Sequence, residues 1–280
     1  MFLKEDCTMK KAFTLIELLV VIAIIALLLA VLMPALRAAK NKARMLFALS
    51  NMRSLSLAWT AYTHSNDSRL VSGQVWHNQN RNNRPFNQSP NGIRPFDWVY
   101  PLDPSSSGIS DHEKEIEGIR KGALWSYIEN AKVYHSPGDR DWNKITRTYT
   151  ASMSPYRSYA ISDAMNGMWR SDYSYRKISN ITTPSTRMVF TEEEDEGGAN
   201  WGSWILGNPG SNSWWDPLAA WYNKGSASIF GFADGHAEKH NWQEKHTIDW
   251  IKTQNLGHSC PPGETEDIRF ITRAYHQDYY

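Results

Sequence analysis

The sequence predicts an α+β protein in which one long N-terminal helix lies across an antiparallel β-sheet with long loops. Three observations carry this prediction. An apolar run from Phe13 to Leu36 passes without a break into helix-compatible sequence that ends near His64. Short runs rich in β-branched and aromatic residues, Arg187–Thr191 and Ser226–Trp242, follow only in the C-terminal part. Between them lie stretches of Asn, Pro, Ser and Arg that read as loops.

The apolar run comes first. No polar residue occurs between Leu18 and Met33, and Phe13–Leu36 supplies roughly 24 residues, enough to cross about 30 Å of hydrocarbon as a helix. A secretory signal peptide would have a shorter apolar stretch, about 7–15 residues, closed by a small-residue cleavage site. A plain signal anchor accounts for the length but not for Glu17, because a carboxylate near the centre of a span costs on the order of 2.5–3.5 kcal/mol, and less near an end. Counting flanking charges does not orient the span, since Lys4, Lys10 and Lys11 precede it and Arg37, Lys40, Lys42 and Arg44 follow it.

The segment KKAFTLIELLVVIAIIALLLAVLMPAL resembles the cleavage and methylation segment of type IV prepilins and type II secretion pseudopilins. The resemblance implies that a prepilin peptidase cuts between Ala12 and Phe13, that Phe13 becomes an N-methylated N-terminus, and that Glu17 is the fifth mature residue, where the family carries its acidic group. Pro34 falls where the family often has a helix-bending proline. The family usually has Gly before the cut, and Ala12 stands there instead, which predicts slower processing. Residues 1–8, Cys7 included, precede a conventional short leader that starts at Met9.

The resemblance also gives Glu17 a role. Cleavage creates an α-ammonium at Phe13, with a reference pKa near 8, and the acidic residue neutralises it on the same or a neighbouring subunit during assembly. The plainer alternative is an interfacial Glu facing headgroups. The organisation implied is a leader over 1–12, a transmembrane or filament-core helix over 13–36, an amphipathic continuation over 37–66 and a globular head over 67–280. The chain would sit in the bacterial inner membrane, single-pass, with its N-terminus cytoplasmic. Its partners would be the peptidase, other pilin or pseudopilin subunits, the assembly platform and membrane lipid.

Beyond Pro34, which removes a backbone donor and predicts a bend, Met45, Leu49, Met52, Leu55, Trp59 and Tyr62 recur at spacings of three and four, one face of a helix. The pattern stops at Ser65-Asn66-Asp67-Ser68. Residues 73–111 read as irregular surface structure pinned by isolated aromatics, and 119–131 as a short helix. Ser226–Trp242 reads as a hairpin with Asp234-Gly235 in a type I′ turn, and Arg187–Thr191 as a buried strand.

This C-terminal region is similar to pilin-like proteins with an H-x9-DG signature. Asp234 and Gly235 match it, whereas Lys224 stands where the His should be, so a role requiring an imidazole there is in doubt. The segments VYHSPGD and SYAISDAMNG also resemble recurring pieces of that family. The turn itself is the first reading of Asp234-Gly235; a ligand site is the second.

The remaining candidates carry weaker chemistry. Glu192, Glu193, Glu194 and Asp195 open the densest acidic run, readable either as a solvated loop or, since some pseudopilins bind calcium, as oxygen ligands for Ca²⁺. Beyond that the sequence implies no cofactor. His236 and His240 would share one strand face, without zinc-site spacing. Trp201, Trp204, Trp214, Trp215 and Trp221 read as sheet-covering core or as a platform for sugar faces. A net charge of +1 gives no footprint for nucleic acid. The two cysteines, Cys7 and Cys260, say nothing about compartment, and no P-loop, G-x-S-x-G, HExxH or CxxC pattern marks an enzyme. Two functions follow: a filament subunit, or a membrane-displayed, Trp-rich binding protein recognising polysaccharide or another surface ligand.

Overall fold

Helix α1 runs from Leu15 to Ser65 in the computed structural model. The structure describes residues 14–73, 97–99, 111–139, 156–167, 171–193, 202–253, 255–263 and 265–279. The chain separates into two units, one ending at Ala43 and one beginning at Arg44. In the first unit every described residue is exposed, including the whole apolar run from Leu15 to Leu36. The helix continues through Pro34, although the missing proline N–H leaves the carbonyl one turn back without its helical donor.

The second unit contains the rest of α1, because Ala48, Met52, Leu55, Trp59 and Tyr62 are core residues of the head. The predicted face is the buried face. The helix ends where the sequence says: the Ser68 N–H donates to the Thr63 carbonyl at 2.9 Å, and Asp67 and Ser68 take positive φ of 53° and 61°.

A five-stranded sheet forms the centre of the head. Its strands are β1 (Tyr159–Ser162), β2 (Met188–Glu192), β3 (Ser203–Trp204), β5 (Ala227–Phe232) and β6 (Ala237–Asn241), in the order β3-β1-β2-β5-β6. All neighbours pair antiparallel except β1 with β3, which are parallel. The sheet is therefore mixed, not wholly antiparallel as predicted. A two-residue pair, β4 (Ser213–Trp214) with β7 (His258–Ser259), stands apart from it.

Both sheet faces are covered, which explains why β5 is buried along its whole length. Ala227 and Ile229 belong to the core shared with α1, whereas Phe230 and Phe232 belong to a second core with α3 (Lys245–Thr253) and α4 (Glu266–Tyr275). Gly231 sets the helix–sheet approach: a Cβ there would lie 2.3 Å from Ser56 Oγ and 2.9 Å from Met52 Cγ. Only a residue without a side chain lets α1 lie this close to β5.

Helices α3 and α4 cap each other. The Asp267 carboxylate accepts the N–H groups of Gln243 and Glu244, and Glu244 accepts those of Glu266 and Asp267. Four backbone N–H groups at or just before the two helix starts are thus satisfied by two side chains. The predicted helix over 119–131 is displaced: α2 spans Asp111–Lys121, and 3₁₀ turns follow at Trp125–Tyr127 and Ala131–Tyr134. Most of 73–111 lies outside the described residues, but Trp98 is fully buried against Phe190, as an aromatic pin should be.

The β5–β6 hairpin is where predicted, with a different turn. Gly231 pairs with Ala237, the Phe232 N–H donates to the His236 carbonyl, and the Gly235 N–H donates to the Phe232 carbonyl. Within this loop only Gly235 has positive φ, at 91°. That is a three-residue loop closed by a glycine bulge, whereas a type I′ turn needs positive φ at two positions. Gly235→Val should lower the thermal midpoint of the full-length protein in detergent by several degrees, at a cost of about 1–3 kcal/mol. The strained φ is compounded because a Cβ at this position comes within 2.8 Å of Leu57 Cδ2. A melt superimposing on the wild type would contradict the bulge.

Candidate functional site

The N-terminal end of α1 is built as a reciprocal cap. The Thr14 N–H and Thr14 Oγ1 both donate to Glu17 Oε2, at 2.9 and 2.8 Å, and the Glu17 N–H donates to Thr14 Oγ1 at 3.2 Å. This is the S/T-x-x-E capping box, in which two otherwise orphaned helix donors are satisfied by each other's residues. Thr14-Leu15-Ile16-Glu17 followed by an apolar run is its sequence signature, a signal the reading of Glu17 as an assembly residue passes over. Among the described residues no donor reaches Glu17 Oε1, so one oxygen holds the helix start and the other is open to a further cation. Ala12 and Phe13 lie outside the described residues.

The helix that begins here has no cover of its own. Leu15 is 79% exposed, Leu27 67% and Val31 71%. Apolar surface of this extent is stable only in lipid or against other chains.

Lys224, Asp234 and Gly235, the residues compared with the H-x9-DG signature, do not converge. Asp234 and Gly235 close one end of β5, and Lys224 lies at the other, in the turn between Tyr222 and Ala227. Lys224 has φ of 60° and adjoins Asn223 and Gly225, also at positive φ. Asp234 Oδ1 accepts the His236 N–H and pairs with the His236 ring, which stacks on Phe232. The contacts of Asp234 are those of a turn residue. His240, on the same face of the sheet, stacks instead on Phe270.

The acidic run begins inside the protein, not on a solvated loop. Glu192 is the last residue of β2 and fully buried. Its Oε1 accepts the Ser136 hydroxyl at 2.8 Å and its Oε2 the Ile229 N–H at 2.9 Å, while Ser136 Oγ also meets the Tyr222 hydroxyl at 2.9 Å. Burial pushes the Glu192 carboxyl up to about 8, against hydrogen bonds from Ser136, Ile229 and Tyr222 that favour its charge. A neutral acid with both oxygens engaged does not fit a calcium ligand. Glu193 is also buried, its N–H donating to the Ser158 carbonyl. Glu194 and Asp195 lie outside the described residues. Among the described residues, no group of three His, Cys, Asp or Glu side chains is placed to hold a metal.

This knot joins three separated segments. Ser136 comes from VYHSPGD, Glu192 from PSTRMVFTEEE, and Tyr222 and Ile229 from the region around KGSASIF. Asn51 of α1 adds a fourth, donating through Nδ2 to the His135 carbonyl at 3.0 Å.

The tryptophans divide. Trp204 and Trp214 are buried, with Trp214 packed 5.6 Å from Trp242 and 5.2 Å from Trp250, ring centre to ring centre. Trp221 is half-buried, Trp215 is 52% exposed, and Trp201 lies outside the described residues. The core reading holds for Trp204 and Trp214.

Residues 7–33 match the family model described as the prokaryotic N-terminal methylation motif. No curated protein and no solved structure matches the chain. The match reaches into the first part of α1, and it supports a prepilin peptidase substrate of the type IV pilin kind.

Because the folded Glu192 carboxyl titrates near 8, above its ordinary 4.5, its contribution to stability is fully present below the lower value. It is lost as pH rises through the higher one. The thermal midpoint should therefore fall between about pH 5 and pH 8. Glu192→Gln, which keeps a donor and an acceptor, should fold and lose that part of the slope. Equal slopes in the two proteins would show that Glu192 is charged in the fold.

Proposed function

We propose that the chain is the precursor of a filament subunit, a pilin or pseudopilin of a type IV pilus or type II secretion filament, with a minor position favoured by its large head. A prepilin peptidase cuts between Ala12 and Phe13, Phe13 is N-methylated, and α1 holds the mature subunit in the bacterial inner membrane. The N-terminus is cytoplasmic, the head lies outside the cytoplasm, and the assembly platform moves the subunit into the filament. Its role is structural, not catalytic. The observation that carries this reading is the methylation motif lying on a helix whose apolar residues no part of the described chain covers.

The chemistry of assembly follows from the helix start. A bilayer tolerates the Phe13 ammonium at its aqueous edge, but a filament core of packed helices does not, unless a carboxylate meets it. Glu17 supplies the carboxylate. Thr14 occupies Oε2 and orients the group, and Oε1 takes the amine of the same or a neighbouring subunit.

A second reading, a membrane-displayed head that recognises polysaccharide, draws on Trp215. Trp215 and Leu256 are both exposed, and Gly257, next to Leu256, donates its N–H to the Trp215 carbonyl. It has lost Trp204 and Trp214 to the core. Pelleting of sheared filaments separates the two readings, since a binding protein need not co-sediment with filaments.

Mass spectrometry of membrane-extracted protein should find N-methyl-Phe13 as the first residue, and an intact Met1 or Met9 in cells with active peptidase would refute the processing. Glu17→Leu should be cut and inserted normally yet yield on the order of a hundredfold to a thousandfold less pelletable filament, since an unpaired buried charge costs about 3–5 kcal/mol. Glu17→Asp should be intermediate. Wild-type filament yield from Glu17→Leu would reduce Glu17 to a helix cap.

A further inference from the structure

The apolar run of α1 ends in a cluster of cations at a defined depth. From Leu15 to Leu36 the helix rises about 33 Å at 1.5 Å per residue, close to the roughly 30 Å of a bilayer's hydrocarbon core. Arg37, Lys40 and Lys42 follow within the next two turns, and all three are exposed. The headgroup layer adds about 5–8 Å on each side of the hydrocarbon; Arg37 and Lys40 start within it, about 1.5 and 6 Å past Leu36, and Lys42, at about 9 Å, starts at its outer edge. Their long stems can lie along apolar surface while the charges reach the phosphates.

The helix gives these cations no internal partner. No Asp or Glu occurs between Glu17 and Asp67, so no carboxylate stands three or four residues away. Arg37 and Lys40 share one side of the helix at a spacing of three, and Lys42 projects from another. The charges therefore form a partial ring, better matched to a surface surrounding the helix than to one point ligand.

We infer that Arg37, Lys40 and Lys42 form a collar that binds the headgroup phosphates of anionic phospholipids in the leaflet where α1 emerges. The inference rests on the membrane-anchored reading of α1. A carboxylate-bearing protein could meet the same charges. Lipid is favoured because a residue directly after a membrane-thick span meets headgroups before any partner. Each Lys or Arg near an anionic surface contributes roughly a fivefold gain in affinity. The collar sets the depth of the helix and resists its withdrawal from the bilayer.

The test uses full-length protein in neutral detergent, titrated with phosphatidylglycerol or phosphatidylcholine and read by native mass spectrometry. Wild type should retain phosphatidylglycerol in preference to phosphatidylcholine. The triple variant Arg37→Gln, Lys40→Gln, Lys42→Gln should lose about a hundredfold in phosphatidylglycerol affinity, with an unchanged near-ultraviolet spectrum of the head. Arg53→Gln, an exposed cation farther along α1, should bind as wild type. Soluble glycerol phosphate should not displace the lipid; equal competition would identify a bare phosphate site instead and overturn the collar. Retained preference in the triple variant, or an equal loss in Arg53→Gln, would also overturn it. Carbonate extraction of membranes separates the two levels: release of wild type refutes anchoring and the collar with it, whereas retention without lipid preference refutes the collar alone.

Discussion

The head depends on one contact, the seat of α1 on β5 at Gly231. Met52 and Ser56 occupy the space that any side chain at Gly231 would need, and Leu55, Trp59 and Tyr62 complete the core on that sheet face. Removing the helix would expose these residues and the sheet face beneath them, so the second half of α1 is part of the head's core and not a stalk attached to it. In the proposed filament, assembly and folding are therefore linked. The element whose first half is uncovered also supplies, with its second half, the side chains the head cannot do without.

A second constraint is polar. Glu192, Ser136 and Tyr222 come from three segments and satisfy one another where water is excluded. A buried carboxyl is tolerable when neutral and hydrogen-bonded, and costly otherwise. The knot adds little net energy compared with an apolar core. It does penalise any arrangement in which the segments shift, because each donor would then lose its acceptor. The loop-rich head thereby gains a single register without a disulfide among its described residues.

Much of this was legible in the residues, and the gaps have physical causes. The spacing of Met45, Leu49, Met52, Leu55, Trp59 and Tyr62 gave the buried helix face because helical period alone decides it. Asp234-Gly235 located the hairpin but not its turn, since one dipeptide serves both a type I′ turn and a glycine bulge, and only the pairing of Gly231 with Ala237 decides between them. Glu192 looked like the start of a solvated loop because its partners, Ser136 and Ile229, are distant in sequence. The pair α3 and α4 shows in sequence only as the helical spacing of Ile268, Ile271 and Tyr275, because the crossed caps from Asp267 and Glu244 depend on tertiary placement. At the candidate site, the capping box of Thr14 and Glu17 was readable from local sequence alone.

The strand order has a further consequence. The sheet ends on one side in β3, two residues long, and on the other in β6, whose sequence Ala237-Glu238-Lys239-His240-Asn241 places charged and ionisable side chains along the border. One border is only two residues long, and the other carries charged side chains that edge-to-edge pairing would have to desolvate. Subunits crowded together on a membrane are thereby guarded against fusing sheet to sheet into an amyloid-like ladder. The head resists the polymer that any exposed sheet invites, which leaves the growth of the proposed filament to the helix.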